Sequence, residues 1–256
     1  MHKVRAFAVR CAKEILRDPL SYIFCLGFPL VMLLIMTLVD RSIPKEAGMT
    51  IFRIPSLSGG VMIFGLTFVM LFTAMTVAKD RSGAFLMRMY ATPMKAMDFT
   101  VGYQLPMLVI SLVQGLLIAA ASLVISLITD GGLTVGGLLL GVVTLLPSAV
   151  LFTALGLLFG TLFNEKAAPG LCSIVISLGS FLGSVWFDAE ATGGVLLSIS
   201  KCLPFHYCTK SVRSAVQLTL SWEAFGLPLL VVCCCALLLT VCAAVVFRLK
   251  MRTELA

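Results

Sequence analysis

The sequence predicts an all-α integral membrane protein with six transmembrane helices. Of its 256 residues, 60% are apolar and only 12% are charged, whereas a soluble domain has about 25% charged residues to cover its surface. Six intervals of at least 20 residues contain no Asp, Glu, Lys or Arg. The formal net charge is +7, and the positive residues are concentrated in a few segments. This composition excludes a soluble globular domain and a disordered chain.

Each charge-free interval is long enough to cross a bilayer as a helix. About 20 helical residues, rising 1.5 Å each, span a hydrocarbon core ~30 Å thick. Backbone groups in lipid must bond internally, and the alternating pattern of a membrane β-strand is absent, so we expect helices. The chain shows no break in composition and is predicted to be a single transmembrane domain over residues 1–256. The predicted spans are residues 20–39, 56–78, 104–128, 135–162, 167–187 and 225–247.

Turn and packing residues organise the third and fourth spans. The run Thr129-Asp130-Gly131-Gly132 predicts a tight hairpin between them, and Pro147 is expected to kink the fourth. Small residues allow neighbouring helices to approach closely. We interpret the glycines of the fourth span as packing residues rather than substrate contacts; they are Gly136, Gly137, Gly141, Gly156 and Gly160.

The basic residues indicate how the chain is oriented. Thirteen of the 19 Lys and Arg residues fall in the N-terminal segment, the second and fourth connections and the C-terminal tail. Because cytoplasmic loops carry the excess of Lys and Arg, the N and C termini are both predicted to be cytoplasmic. The positive charge is therefore a topology signal and does not indicate a nucleic-acid partner. The first apolar segment is longer than the core of a signal peptide, so we expect it to be retained as a membrane anchor.

The N-terminal 18 residues predict an amphipathic interfacial helix. Val4, Phe7, Ala8, Cys11 and Ile15 recur at helical spacing and form one apolar stripe. Such a helix lies at the membrane surface and is attracted to anionic lipid. It is either a topology anchor only or also a surface for a cytoplasmic partner. The basic residues of its opposite face are Lys3, Arg10, Lys13 and Arg17.

Two further polar segments are candidates for function. Residues 79–98 predict a short cytoplasmic helix with an apolar side, ending near Thr92 because Pro93 disfavours helix at the preceding residue. It is either an ordinary interfacial helix or one that docks in a partner's groove. Residues 188–223 predict a small helical hairpin on the outer side, which is either a site near an exit pathway or a structural lid.

The sequence lacks the motifs of most enzymes. It has no Gly-x-x-x-x-Gly-Lys-[Ser/Thr], no His-Glu-x-x-His and no Gly-x-Ser-x-Gly, so we expect no catalytic, cofactor or metal site in this chain. The predicted spans contain no acidic or basic residue that would bind a coupling ion, which favours movement driven from outside the chain. Gln104 and Gln114 are candidates to line a weakly polar pathway. Cys202 and Cys208 are either free thiols or a disulfide.

These features together resemble the permease subunit of a type-2 ATP-binding-cassette exporter. After the second span, that family usually has an acidic-basic pair, a Gly, a Leu and a Thr-Pro. Near the end of the fifth span it often has Phe-Leu-Ser-Gly, where this chain has Phe181-Leu182-Gly183-Ser184, and a later Leu-Pro, aromatic or His, and Arg element. The matching residues of the first and last elements here are Asp80, Arg81, Gly83, Leu86, Thr92 and Pro93, then Pro204, His206 and Arg213.

The resemblance implies a transport subunit that has no enzymatic activity of its own. It also implies a location in the plasma (cytoplasmic) membrane of a prokaryote. It implies a dimer of permeases, identical or related, bound to a separate ATPase subunit that uses ATP and magnesium. Residues 79–94 would form the coupling helix that transmits ATP-driven closure to the spans. The substrate would be a hydrophobic or amphipathic compound, such as a drug, antibiotic, peptide or lipid-like molecule. The alternatives are an intramembrane enzyme acting on lipid or peptide, and a structural or sensory subunit of another membrane complex.

Overall fold

The computed structural model describes residues 2–44, 50–83, 85–90 and 94–255. The regular structure of these residues is helical. A π-helical turn at Trp222–Gly226 leads into the last helix. Within the described ranges the helices are α1 (His2–Leu16), α2 (Pro19–Ser42), α3 (Ile54–Ser82), α4 (Phe85–Tyr90), α5 (Ala96–Thr129), α6 (Val135–Leu162), α7 (Ala168–Leu182), α8 (Ala189–Thr192), α9 (Gly194–Cys202), α10 (Pro204–Val216) and α11 (Leu227–Leu255).

Five helical segments are long and apolar enough to cross a membrane: α2, α3, α5, α6 and the segment Trp222–Met251, which contains most of α11. They agree with five of the six predicted spans, and the chain is a multi-span membrane protein. The predicted fifth span, residues 167–187, is shorter. Its helix α7 has 15 residues, about 22 Å of rise, which is less than a ~30 Å hydrocarbon core. The helix ends at Gly183, and Ser184 then adopts a positive φ of 58°.

Helix α3 is the centre of the bundle. It packs against α2, α5, α6, α7 and α10, and most of its apolar length is buried. Helices α2 and α11 instead carry large apolar side chains on their exposed faces, as Leu38 and Leu237 illustrate. This pattern is the one expected of helices that face lipid, because the outer surface of a membrane domain needs no polar covering.

Glycines set the spacing between α6 and its neighbours. A Cβ added at Gly156 or Gly160 would overlap the carbonyl oxygens of Met70 and Ala74 on α3, so these helices touch through their backbones. At the end of α10, Gly137 makes the same kind of approach to the carbonyl oxygen of Val216, and Gly141 makes room for the side chain of that residue. The packing prediction is confirmed for these four glycines and wrong for Gly136, around which the structure leaves open space. Helix α6 continues through Pro147 without interruption.

Candidate functional site at the basic end of the bundle

One end of the bundle carries α1, the last turn of α3, α4 and the first turns of α5, and we call it the basic end. Here α1 packs on α5 through the apolar stripe that the sequence predicts. Phe7 is 4% exposed and makes edge-to-face contacts with Phe99 and Tyr103, at centroid distances of 5.3 and 4.9 Å. Gly102 is required at this contact, because an added Cβ would overlap the Phe7 ring. Cys11 is fully buried along the same stripe.

An ion pair with a buried carboxylate joins α1 to α3. Arg10 Nη1 and Nη2 donate to the two carboxylate oxygens of Asp80 at 2.5 and 2.8 Å, and the Tyr103 hydroxyl donates to Asp80 Oδ2 at 2.7 Å. Asp80 is only 3% exposed, so these three bonds replace its hydration. Burial opposes the charged form of Arg10, but the hydrogen bonds and charge of Asp80 outweigh it and raise the pKa of Arg10. Arg10 also pairs with Glu14 at 2.8 Å, one turn further along α1.

The short helix α4 is held against this ion pair. The guanidinium carbon of Arg10 lies 3.8 Å from the centroid of the Phe85 ring, a cation–π contact, and Phe85 also stacks on Phe7. Leu86 is fully buried in an apolar cluster with Phe99 and residues of α1 and α11. The apolar side chains Phe85 and Leu86 of α4 therefore pack on the bundle.

Arg81 links α3 to the end of α6. Its Nη1 donates to the carbonyl oxygens of Gly160 at 3.1 Å, Phe163 at 3.3 Å and Thr161. The last carbonyls of a helix have no partner within the helix and carry partial negative charge, so a guanidinium stabilises them. Gly83 follows as the C-cap of α3, where its N–H donates to Lys79 O at 3.0 Å. Thr92 and Pro93 lie outside the described residues.

The other basic residues predicted for the N-terminal helix face outward; Arg17 lies just beyond the end of α1. Lys3, Lys13 and Arg17 are exposed. Lys13 and Arg17 line a cavity of about 590 Å³ together with Arg10, Glu14, Asp18, Pro19 and Lys79. Three of the four predicted basic residues, Arg10, Lys13 and Arg17, thus line one cavity, and Arg10 also reaches inward to Asp80.

At the opposite end of the bundle, Arg213 joins three segments of the chain. Its Nε donates to Ser56 O at 2.9 Å, and its two Nη atoms donate to Ser184 O at 2.7 Å and Val185 O at 3.0 Å. Burial lowers the pKa of Arg213 to about 10, with Asp188 and Glu190 offsetting part of the effect, so the side chain stays charged at neutral pH.

His206 lies beside Arg213 in a polar cavity of about 400 Å³. It is 3% exposed, and its Nδ1 is 3.1 Å from Ser184 Oγ. Its Nε2 lies 3.7 Å from Glu190 Oε1, which also accepts a 2.6 Å bond from Lys210. Burial lowers the pKa of His206, and the attraction of Glu190 offsets only part of this shift. Pro204 begins α10, the helix that carries this group, at a position where proline is favoured.

The two glutamines proposed for a pathway contact neighbouring helices. Gln114 is fully buried, and its Nε2 donates to Met62 O on α3 at 3.1 Å. Gln104 Nε2 lies 3.5 Å from Thr240 Oγ1 on α11. Within this single chain both side chains therefore join helices, and their role in a pathway stays a prediction.

Two functional side chains were not singled out from the sequence. Tyr103 binds Asp80 through its hydroxyl. The sequence could have indicated this, because a tyrosine in a charge-free interval needs a hydrogen-bond partner for its hydroxyl when it is buried. Ser184 holds His206 through its side chain and Arg213 through its carbonyl. In the sequence, Ser184 is marked only as the last residue of the Phe181-Leu182-Gly183-Ser184 element, and its contacts depend on the turn after α7. All nine cysteines are free thiols, including Cys202 and Cys208.

The fold places the chain in the class of multi-span helical membrane proteins. An amphipathic N-terminal helix docks on its bundle, and a short helix lies between its second and third spans. The model of the ABC-2 type transporter family matches residues 2–217, so the chain belongs to that family. The match confirms the resemblance to the permease subunit of a type-2 ABC transporter and identifies the chain as a membrane component of transport. Comparisons with curated proteins and with solved structures give no match.

Proposed function

We propose that this chain is the permease of an ATP-driven exporter for a hydrophobic or amphipathic compound. A separate ATPase subunit, which binds ATP and magnesium, would power it, and two permease chains would form the transport unit. The basic end would face the cytoplasm, in agreement with its excess of Lys and Arg. Membership of the ABC-2 type transporter family supports this class of function.

The observation that carries the proposal is that side-chain contacts connect α4 to other helices of the bundle. Through Phe85, α4 touches Arg10, which binds Asp80 on α3. Next to Asp80, Arg81 binds the end of α6. A force applied to α4 by an ATPase would thus reach α1, α3 and α6 within three contacts. In this arrangement Asp80, Arg81 and Leu86 position the coupling helix, while its outward side meets the ATPase.

Capture of the ATPase is the direct test. We expect the full-length chain, purified from its own membranes in a mild detergent, to retain a separately encoded ATPase that carries Gly-x-x-x-x-Gly-Lys-[Ser/Thr]. Mass spectrometry of the retained proteins identifies it. Failure to retain any such ATPase, under conditions in which the permease remains folded, contradicts the proposal.

Transmission through α4 has its own test, which uses the exposed thiol of Cys202 at the opposite end. In the complex, we expect ATP to change the rate at which a water-soluble maleimide labels Cys202, with Cys202→Ser identifying the labelled site. Phe85→Ala should retain the ATPase but reduce this response, because α4 loses its contact with Arg10. Phe181→Ala removes an equal ring from an exposed position on α7 and should leave the response intact. An equal response in wild type and Phe85→Ala contradicts the assigned path.

A further inference from the structure

An apolar groove of about 740 Å³ runs between α1 and α5 at the basic end. On α1 its wall includes Val4, Ala8 and Ala12, which share one side of the helix because they are four residues apart. Val4 and Ala8 also belong to the apolar stripe, so the groove lies along the edge of that stripe, beside the contact of Phe7 with α5. On α5 the wall is formed by Val101, Leu105, Pro106 and Val109.

The groove has the depth of one bilayer leaflet. Its α5 wall extends from Asp98 to Val109, which corresponds to about 16 Å of helical rise. Half of a ~30 Å hydrocarbon core is about 15 Å. Leu105 is 43% exposed and Val109 is 61% exposed, so this wall is open to an apolar occupant. A long, narrow apolar groove of this depth fits the acyl chain of a lipid in the adjoining leaflet.

Two opposite charges line the same groove. Arg5 is exposed on the α1 side, and Asp98 lies at the start of α5, where its Oδ2 accepts a 2.8 Å bond from the Lys95 N–H. A phosphate would be attracted to Arg5, and a primary ammonium group could donate hydrogen bonds to the Asp98 carboxylate. A headgroup with only negative charge would be repelled by Asp98. A quaternary ammonium has no N–H to donate. The pair of charges therefore complements phosphoethanolamine better than either alternative.

We propose that the groove between α1 and α5 binds one phospholipid with a phosphoethanolamine headgroup from the leaflet at the basic end. Its acyl chain lies along Leu105 and Val109, its phosphate faces Arg5, and its ammonium group faces Asp98. The bound lipid stabilises the docking of α1 next to the ion pair of Arg10 with Asp80. This site does not depend on the proposed transport function.

Native mass spectrometry of the full-length chain in a mild detergent tests the site. The probes are phosphatidylethanolamine, phosphatidylcholine and phosphatidylglycerol with identical acyl chains. We expect one phosphatidylethanolamine to bind most tightly. Val109→Trp fills the membrane-deep part of the groove and should weaken that binding about tenfold. Val143→Trp makes the same substitution at an equally exposed position of α6, 61% in both cases, and should have no effect.

Charge variants test the headgroup assignment. Arg5→Gln should weaken binding of phosphatidylethanolamine about threefold, as expected for an exposed charge pair. Asp98→Asn should reduce the preference for phosphatidylethanolamine over phosphatidylglycerol, because the repulsion of the anionic lipid is removed. Equal binding of all three lipids, unaffected by Val109→Trp, indicates annular lipid only and overturns the proposal. Tightest binding of phosphatidylglycerol or phosphatidylcholine to the wild type also overturns it.

Discussion

The two ends of the bundle each bury a charged side chain, but they neutralise it in different ways. At the basic end, Asp80 is paired with the opposite charge of Arg10 and receives a further bond from Tyr103. At the opposite end, Arg213 donates to the backbone carbonyls of Ser56, Ser184 and Val185. One charge is balanced by a single side chain, and the other is held by the backbone of two segments distant in sequence.

Because of this difference, we expect the two ends to respond differently to substitution. Helix α1 is attached to α3 by the pair of Arg10 with Asp80 and by a longer contact of Glu14 with Lys79 at 3.7 Å, so a change at Arg10 can weaken the attachment while the bundle stays intact. The carbonyls around Arg213 belong to the start of α3 and to the turn after α7, where the chain itself changes direction. Loss of Arg213 would remove its donor groups from three backbone carbonyls, two of them on the buried residues Ser184 and Val185. We therefore expect the opposite end to be the more sensitive to substitution.

The largest effect is expected for Arg213→Met, which should lower the free energy of unfolding by about 4 kcal/mol, because three bonds to a charged donor are lost. Titration with a denaturing detergent, followed by loss of helical signal, measures this change. Lys210→Met is the matched control, one turn earlier on α10. Lys210 pairs with the exposed Glu190, so its loss should cost less than about 1 kcal/mol. Equal losses for the two variants would contradict a special role for Arg213.

Next in size is Arg10→Ala, with an expected loss of about 3 kcal/mol, because Asp80 is left buried without its countercharge. Limited proteolysis should show α1 released before the rest of the chain unfolds. Adding Asp80→Asn removes the uncompensated charge, so the double variant should be more stable than Arg10→Ala alone. If the double variant is instead less stable, the ion pair is not the source of the effect. Lys13→Ala on the exposed face should be close to neutral.

The sequence predicts those features that depend on local composition. Five spans could be located because an uncharged interval of more than 20 residues is itself the physical requirement for crossing a bilayer. The amphipathic helix α1 was predictable because the spacing of Phe7, Cys11 and Ile15 places them on one face. The length of α7 was not predictable, because its end at Gly183 is followed by a turn whose carbonyls bind Arg213, almost 30 residues later.

The candidate site was predictable in its residues but not in its contacts. The resemblance marked Asp80 and Arg81, and hydropathy placed them at the end of a span. Their partners lie on other helices: Asp80 binds Arg10, 70 residues earlier, and Arg81 binds carbonyls of α6, about 80 residues later. Backbone carbonyls carry no sequence signal, so the connection from Arg81 to α6 emerges only from the packing of α3 against α6.

Between the two ends, the contact of α3 with α6 is expected to show an intermediate effect. Gly156→Ala should cost about 2 kcal/mol, because the added methyl group overlaps Met70 O and the helices must move apart. Gly136→Ala is the control on the same helix, where nothing lies near the added atom. It should be neutral or stabilising by about 0.5 kcal/mol, since alanine favours helix. The same denaturing titration compares them, and equal behaviour would mean that α3 and α6 do not touch at Gly156.

The smallest effect is expected from the protonation of His206, which should make the stability of the opposite end depend on pH. Burial holds the pKa of His206 below its usual value near 6.5, so the unfolded chain binds more protons than the folded chain just below that pH. Stability should therefore fall as the pH decreases from 7.5 to 5.5, by about 2 °C in melting temperature. Hydrogen bonding and charge from Lys210 lower the pKa of Glu190, so its contribution is lost only below about pH 4.5, outside this range. His206→Gln should flatten the pH dependence and His2→Gln should preserve it; the reverse result would place the titrating group in α1 instead.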